Sequence, residues 1–186
     1  MNMTSNTHRN ASACEDIFYA AAPTSLGRVM VGATDRGICF LQFDDSDDKL
    51  FTQLVKEYPM ATWKPMPTED LPTFELWISE INDFLAGKTK QLRLPLDIHG
   101  TPFQCIVWSY LMEVPYGCLQ SYADVARGIG KPSAVRAVAS ACGNNKIALA
   151  IPCHRVVRGD GQLAGFKWGL ARKQALIALE KTICKS

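Results

Sequence analysis

From Ile147 to Val157 the chain is apolar with one interruption. Ile147-Ala148-Leu149-Ala150-Ile151 is followed by Pro152-Cys153-His154-Arg155, and then by Val156-Val157. Such a run has to be buried. Its first part reads as a strand that carries a thiol, an imidazole and a guanidinium at its mouth. Pro152 fixes its own φ and donates no backbone hydrogen bond, so regular pairing ends just before the thiol. A cysteine is useful to chemistry as its thiolate, and neighbouring His and Arg favour that form.

The rest of the chain limits where such a group can work. Its 186 residues suit one domain, or two small ones sharing an interface. A net charge of +2 gives no global field, so a polyanion would have to be met by a local patch. Seven cysteines, Cys14, Cys39, Cys105, Cys118, Cys142, Cys153 and Cys184, show no paired spacing. That pattern predicts free thiols in a reducing, cytoplasmic compartment. Cys39, Cys105, Cys118, Cys142 and Cys184 read as inert packing. His8, His99 and His154 are scattered, which predicts no structural metal. No apolar run is long enough for a membrane span, and no membrane partner is expected.

Along the chain, 1–14 is polar and expected to be loose. Tyr19–Ala22, Arg28–Ala33 and Ile38–Phe43 are short apolar segments parted by Thr24-Ser25-Leu26-Gly27 and Asp35-Arg36-Gly37, a three-stranded antiparallel meander. The acidic loop Asp44–Asp48 can start a helix through Tyr58, and Pro59–Pro67 reads as a connector. Leu71–Ala86 carries an apolar stripe at helical spacing: Leu71, Phe74, Trp77, Ile78, Ile81, Phe84 and Leu85. Leu92–Gly100 reads as a linker, which divides the chain into an α/β unit over 1–95 and a second unit over 96–186. In the second unit, Phe103, Ile106, Val107, Tyr110 and Leu111 predict the buried face of a helix ending near Val114. A helix over Tyr122–Ile129 follows. Gly130-Lys131-Pro132 turns the chain, and Ser133 is placed to cap a third helix through Cys142. A last helix begins near Gly169.

Ser121 to Cys142 is therefore a helix-turn-helix leading directly into the cysteine motif, and this combination points to chemistry on DNA. On the third helix, Val135, Val138, Ala139 and Cys142 fall on one face, leaving Arg136, Ala137, Ser140 and Ala141 on the other. Small residues with one arginine suit a helix pressed against a partner. Spacing alone equally allows a helix buried on both sides.

Pro152-Cys153-His154-Arg155-Val156 resembles the acceptor motif of the O6-alkylguanine-DNA alkyltransferases. The resemblance runs from about Thr101 to Glu180, through Gly130-Lys131-Pro132, Ala134 to Cys142, Asn145, Arg158-Gly159-Asp160-Gly161 and Trp168-Gly169. It lies nearest the C-terminal half of bacterial Ada proteins. It implies a ribonuclease-H-like α/β N-terminal unit and a mostly helical, winged-helix-like C-terminal unit. It also decides the third helix for DNA, docked in the minor groove of alkylated duplex DNA by a monomer.

The same resemblance supplies roles. Cys153 is the alkyl acceptor. His154 is its base through a water, on the expectation that neighbours on an extended segment point apart. Glu180 orients His154 and supports an imidazolium–thiolate pair. Asn145 ties the recognition helix to the active strand. Tyr122 meets the flipped nucleotide, and Arg136 fills the gap it leaves. Ala123 and Lys131 fall at DNA-backbone positions, with Ala137 and Ser140 on the docking face. Val156 offers a carbonyl to the guanine. Lys167 and Trp168 sit on the loop that closes the pocket, and Trp168 is expected to narrow it against O6-benzylguanine. Some relatives hold an N-terminal zinc; here Ala33 and Thr34 stand where a ligand is needed, so no metal is expected. No cofactor is needed, because the damaged DNA supplies the alkyl group. Nothing in the chain removes an S-alkyl from Cys153, which predicts one turnover per molecule.

Two other readings compete. Alkyltransferase-like sensors share the scaffold but lack the acceptor cysteine, which is present here. Cys-His hydrolases place the pair far apart in sequence, and Cys153-His154 does not fit that pattern. The cysteine cluster of Ada's phosphotriester-accepting domain is absent from this sequence.

Overall fold

The computed structural model describes residues 15–163 and 165–184; the polar stretch 1–14 lies outside the described residues. Strands β1 (Asp16–Thr24), β2 (Gly27–Thr34) and β3 (Gly37–Asp44) form the expected antiparallel meander. The first turn closes because the Thr24 hydroxyl donates to Gly27 O at 2.8 Å and accepts from Leu26 N at 3.2 Å. At the second turn Gly37 takes a φ of 145°, and a Cβ there would stand 2.8 Å from Pro95 O. Only glycine fits that backbone without strain.

The segment expected to be a plain connector holds a fourth strand. β4 (Thr62–Pro65) lies beside β1 in parallel, giving the order β3-β2-β1-β4. Pro65 is tolerated there because β4 is an outer strand with one edge free of ladder bonds.

Alternation along the strands gives the sheet two apolar faces. One packs Ile17, Met30, Phe40, Leu50 and Leu54 under α1 (Asp47–Glu57), whose N-terminus is capped by Ser46 accepting from Lys49 N. The other joins Val29, Val31, Ile38, Leu41 and Phe43 to α2 (Leu71–Leu85) and to the C-terminal half in one continuous core. Leu71 of the predicted α2 stripe is exposed, because it sits in the first turn, ahead of that core.

The outer edge of β3 is covered by chain from elsewhere. Ile38 N donates to Pro95 O at 2.8 Å and Asp97 N to Ile38 O at 2.9 Å. Further along, Leu41 N donates to Lys146 O at 2.9 Å and Ala148 N to Leu41 O at 2.7 Å. The C-terminal half thus completes the N-terminal sheet.

In that half, α3 (Pro102–Glu113) opens with a capping box in which Thr101 and Gln104 satisfy each other's backbone. Its buried residues are Val107, Trp108 and Leu111; Ile106, expected inside, is exposed. Trp108 takes the larger share of the interior because its Nε1 donates to Ala141 O at 2.9 Å, anchoring α3 to the next helices. The helix α4 (Tyr122–Gly128) has a second capping box from Ser121 and Asp124. The turn at Lys131-Pro132-Ser133 leads into α5 (Val135–Gly143), capped at Ala134 without a side-chain bond. Ser133 does not cap, since the turn closed by Ala134 N on Lys131 O runs one residue longer than expected and makes Ala134 the N-cap residue. Strands β5 (Gln120–Ser121) and β6 (Val156–Val157) pair in parallel beside the helices, and α6 (Leu170–Cys184) closes the fold. No helix among the described residues is long and apolar enough to cross a membrane.

Candidate active site and nucleic-acid face

The apolar run before the cysteine is a tight turn. Ile147 makes one bridge to Leu41; beyond it Leu149 adopts φ 64° and Cys153–Arg155 forms a single 3₁₀ turn. The expected strand, and the extended Cys153-His154 pair, are therefore absent. The physical reason is Asn145. Its Oδ1 accepts from Ile147 N at 2.9 Å while its Nδ2 donates to Ile151 O at 2.8 Å, so a side chain captures backbone groups that a ladder would use. A left-handed leucine costs roughly 1 kcal/mol, offset by burying its side chain at 4% exposure.

The same Asn145 Nδ2 donates to Cys153 Sγ at 3.2 Å. The thiol is buried, and burial pushes it up to about 11 against the Asn145 hydrogen bond and the nearby Lys173 and Lys167 charges. Tyr122, at the start of α4, is raised to about 12 by burial and by the Cys142 and Cys153 sulfurs.

His154 turns to the other side of the 3₁₀ turn. Its Nε2 is 2.8 Å from Glu180 Oε1, with His154 and Glu180 both 1% exposed. Arg155 joins it there: Nε donates to Glu180 Oε2 at 3.0 Å, Nη2 to Oε1 at 3.0 Å, and Nη1 to Val114 O at 2.6 Å. Gly117 N donates to Glu180 Oε2 at 2.8 Å. Burial opposes charge on Glu180, but the bonds from His154 and Arg155 outweigh it and hold the carboxyl at about 2. Burial also lowers His154, despite Glu180, which disfavours the charged imidazolium. An ionised Glu180 can only accept, which puts the proton on Nε2 and leaves Nδ1 able to take another. Arg155, expected beside the thiolate, is committed to Glu180 instead.

One residue was missed from sequence. Lys173 is buried, its Nζ donates to Val156 O at 2.6 Å and lies 5.7 Å from the Phe166 ring centre. Its signal was available: Lys173, Leu176, Ile177 and Glu180 are the buried face of α6 at helical spacing. A lysine on such a stripe faces inward to a purpose. Burial lowers its ammonium, against the pull of the Cys153 and Cys142 sulfurs.

On α5, Arg136, Ala137 and Ser140 are exposed and Val138 and Cys142 are buried, as the helical spacing predicts. Ala141 is buried rather than outward, because its carbonyl receives Trp108. Lys131 is exposed in the turn before α5, and Ala123 is half-buried on α4. Trp168 is 5% exposed and meets Phe166 edge to face with centroids 4.9 Å apart, in the core that includes Cys153 and Val156. Among the described residues, Cys118 and Cys184 are exposed rather than packed inside, since Cys118 lies in the connection between α3 and β5 and Cys184 ends α6. Glu15, Asp97 and His99 lie close enough together to share a cation, but Arg36 already pairs with Glu15 and donates to Asp97 at 3.0 Å.

With this geometry in view, the similarities are specific. Residues 17–98 match the model of the 6-O-methylguanine DNA methyltransferase ribonuclease-like domain, and 102–182 match that of its DNA binding domain. The chain is 44% identical to the bifunctional transcriptional activator/DNA repair enzyme Ada of Escherichia coli over 97% of its own length and 50% of that protein. It thus spans half of the Ada proteins it matches. It is 38% identical to the inducible methylated-DNA–protein-cysteine methyltransferase of Bacillus subtilis, over 88% of this chain and 84% of that one. The crystal structure of the Mycobacterium tuberculosis O6-methylguanine methyltransferase superposes with a TM-score of 0.75 at 32% identity, covering 89% and 93% of the two chains. A complex of the same M. tuberculosis protein with DNA gives 0.74, at 31% identity and 89% and 94% coverage.

Proposed function

Because this chain belongs to the 6-O-methylguanine DNA methyltransferase family, we propose that it repairs alkylated duplex DNA by moving the alkyl group from guanine O6 to its own Cys153. The observation that carries this reading is the buried Cys153 thiol, held by Asn145 at 3.2 Å behind a helix whose exposed face is Arg136, Ala137 and Ser140.

The steps follow from the residues. The small outward face of α5 lies against the minor groove, and Arg136 enters the stack as the damaged nucleotide leaves it. Lys131 and Ala123 meet the sugar–phosphate backbone, and Tyr122 meets the flipped nucleotide. The Val156 carbonyl accepts from the exocyclic amine, while Lys167 and Trp168 close the pocket. Cys153 loses its proton through a water to Nδ1 of His154, whose other nitrogen Glu180 holds. The thiolate attacks the alkyl carbon, the carbon–O6 bond breaks, and its electron pair leaves with the guanine, which takes up a proton. The thioether is stable, so the molecule is spent after one transfer; O4-methylthymine is a second substrate. No cofactor or metal enters. The division into 1–95 and 96–186 belongs to the same reading and is supported by the two family models meeting near residue 100; that a cytoplasmic monomer acts is part of the proposal.

Intact mass spectrometry after incubation with a duplex carrying one O6-methylguanine tests it. A single added methylene, mapped to Cys153 and absent in Cys153→Ala, is expected. Tight binding to that duplex with no mass change would make the chain a damage sensor and overturn the transfer.

A further inference from the structure

The N-terminal half ties down the segment 166–168, whose Trp168 shares a core with Cys153 and Val156, at two points. On one side stands Glu57, the last residue of α1. Its Oε1 is 2.6 Å from Lys167 Nζ, with both side chains 20% exposed. Its Oε2 lies 3.9 Å from Lys146 Nζ, which also sits 4.3 Å from the Tyr58 ring centre. Lys167 Nζ reaches Asn145 O at 3.4 Å, and Asn145 is the residue bonded to the thiol. On the other side, Arg172 donates through Nη1 to Trp168 O at 3.1 Å and through Nε to Leu26 O at 2.7 Å, and it pairs with Asp45. Trp168 is suspended between the two ties and braced by Phe166.

Both ties take their acidic partner from the N-terminal half, Glu57 in one and Asp45 in the other. The short stretch between them carries Gly165 and Gly169 on its flanks, and Gly169 has a φ of 94°. Glycines on either side give the segment freedom to swing, so something outside it must fix where Trp168 stands. A partly shielded pair of opposite charges at 2.6 Å does so more firmly than a surface pair in full solvent.

We propose that Glu57 is a positioning residue for selectivity: through Lys167 it holds Trp168 against the thiol pocket and so limits the size of the O6 substituent that can be transferred. This rests on the alkyl-transfer reading above. Breaking the tie lets the segment move outward, and larger substituents then reach Cys153.

The test compares transfer rates of the full chain with an O6-methylguanine duplex and with O6-benzylguanine, in wild type, Glu57→Ala, Glu57→Gln, Lys167→Ala and the Glu57→Ala/Lys167→Ala pair. Trp168→Gly serves as the reference for an open pocket. Each single variant is expected to raise the benzyl-to-methyl ratio about tenfold, and the double variant no further than either single one. A ratio unchanged in the Glu57 variants while Trp168→Gly raises it overturns the proposal. So does strict additivity in the double variant. A parallel fall in both rates together with a lower melting temperature does so as well, since that is what a purely structural role gives. A wild-type chain that accepts neither alkyl group fails at the transfer itself, which is distinct from a working chain whose ratio ignores Glu57.

Discussion

Nε2 of His154 lies 2.8 Å from Oε1 of Glu180, and neither side chain reaches solvent. The carboxylate also receives Arg155 and the Gly117 amide. Four donors converge on one buried anion, so its loss is felt both in stability and in the orientation of the base.

Glu180→Gln should therefore fail twice. Leaving Arg155 without its countercharge costs roughly 3–5 kcal/mol of stability. Loss of the partner that sets the imidazole tautomer lowers the transfer rate about 10- to 100-fold. Chemical denaturation and single-turnover kinetics measure the two separately; a variant as stable as wild type would contradict the network.

The same pair predicts an acid limb in stability. His154 is lowered from its ordinary 6.5, so below that pH the unfolded chain takes up a proton that the fold refuses, and stability falls. Glu180 is held at about 2 against 4.5, so its contribution, about 3 kcal/mol, is present above pH 4.5 and is lost as pH falls from there through about 2. Denaturation midpoints from pH 8 down to 2 should hold level to about 7 and then decline, first through His154 and below 4.5 through Glu180. A flat profile would show that neither group is held as described.

Asn145→Ala removes three bonds at once, to Ile147 N, Ile151 O and Cys153 Sγ. With the side chain fully buried, a loss of about 3 kcal/mol or more is expected. Thermal melting checks this, and the left-handed Leu149 turn should loosen with it, seen as faster amide exchange over 147–151.

Lys173→Met keeps the volume and deletes a buried ammonium beside the thiol. Cys153 should then ionise less readily, and its alkylation by iodoacetamide at pH 7 should slow about tenfold, one pKa unit. An unchanged rate would confine Lys173 to holding the Val156 carbonyl.

Arg136→Ala separates docking from chemistry. Arg136 is solvent-exposed on α5 and belongs to none of the buried networks around Cys153. Transfer from duplex DNA should fall at least about tenfold further than transfer from the free alkylated base, because only the duplex requires a nucleotide to be unstacked. Equal losses would place Arg136 in the chemistry instead.

Much of this molecule was readable before folding because the signals are local. The turns Thr24–Gly27 and Asp35–Gly37 part β1, β2 and β3 where their residues predict, and the apolar spacing of α2 survives except at its first residue. What escaped was non-local. β4 exists only because β1, more than thirty residues earlier, offers an open edge. The turn at 147–151 looks like a strand by hydrophobicity, and only the Asn145 side chain diverts it. The direction of Arg155 depends on Glu180, twenty-five residues away. Lys173 lay in view at helical spacing, but a charge on an apolar stripe has meaning only once its neighbours are known.

The covered edge of β3 carries one more consequence. Residues 95–97 and 146–148 occupy amides and carbonyls that would otherwise lie open along a flat apolar strand. An N-terminal half produced without the second would present that row as a template for another strand, and would be expected to self-associate rather than stay dispersed. The two halves of this chain share one core and one sheet edge, and an acceptor region cut out by itself is expected to meet the mirror problem, an active-site turn with nothing to lean on.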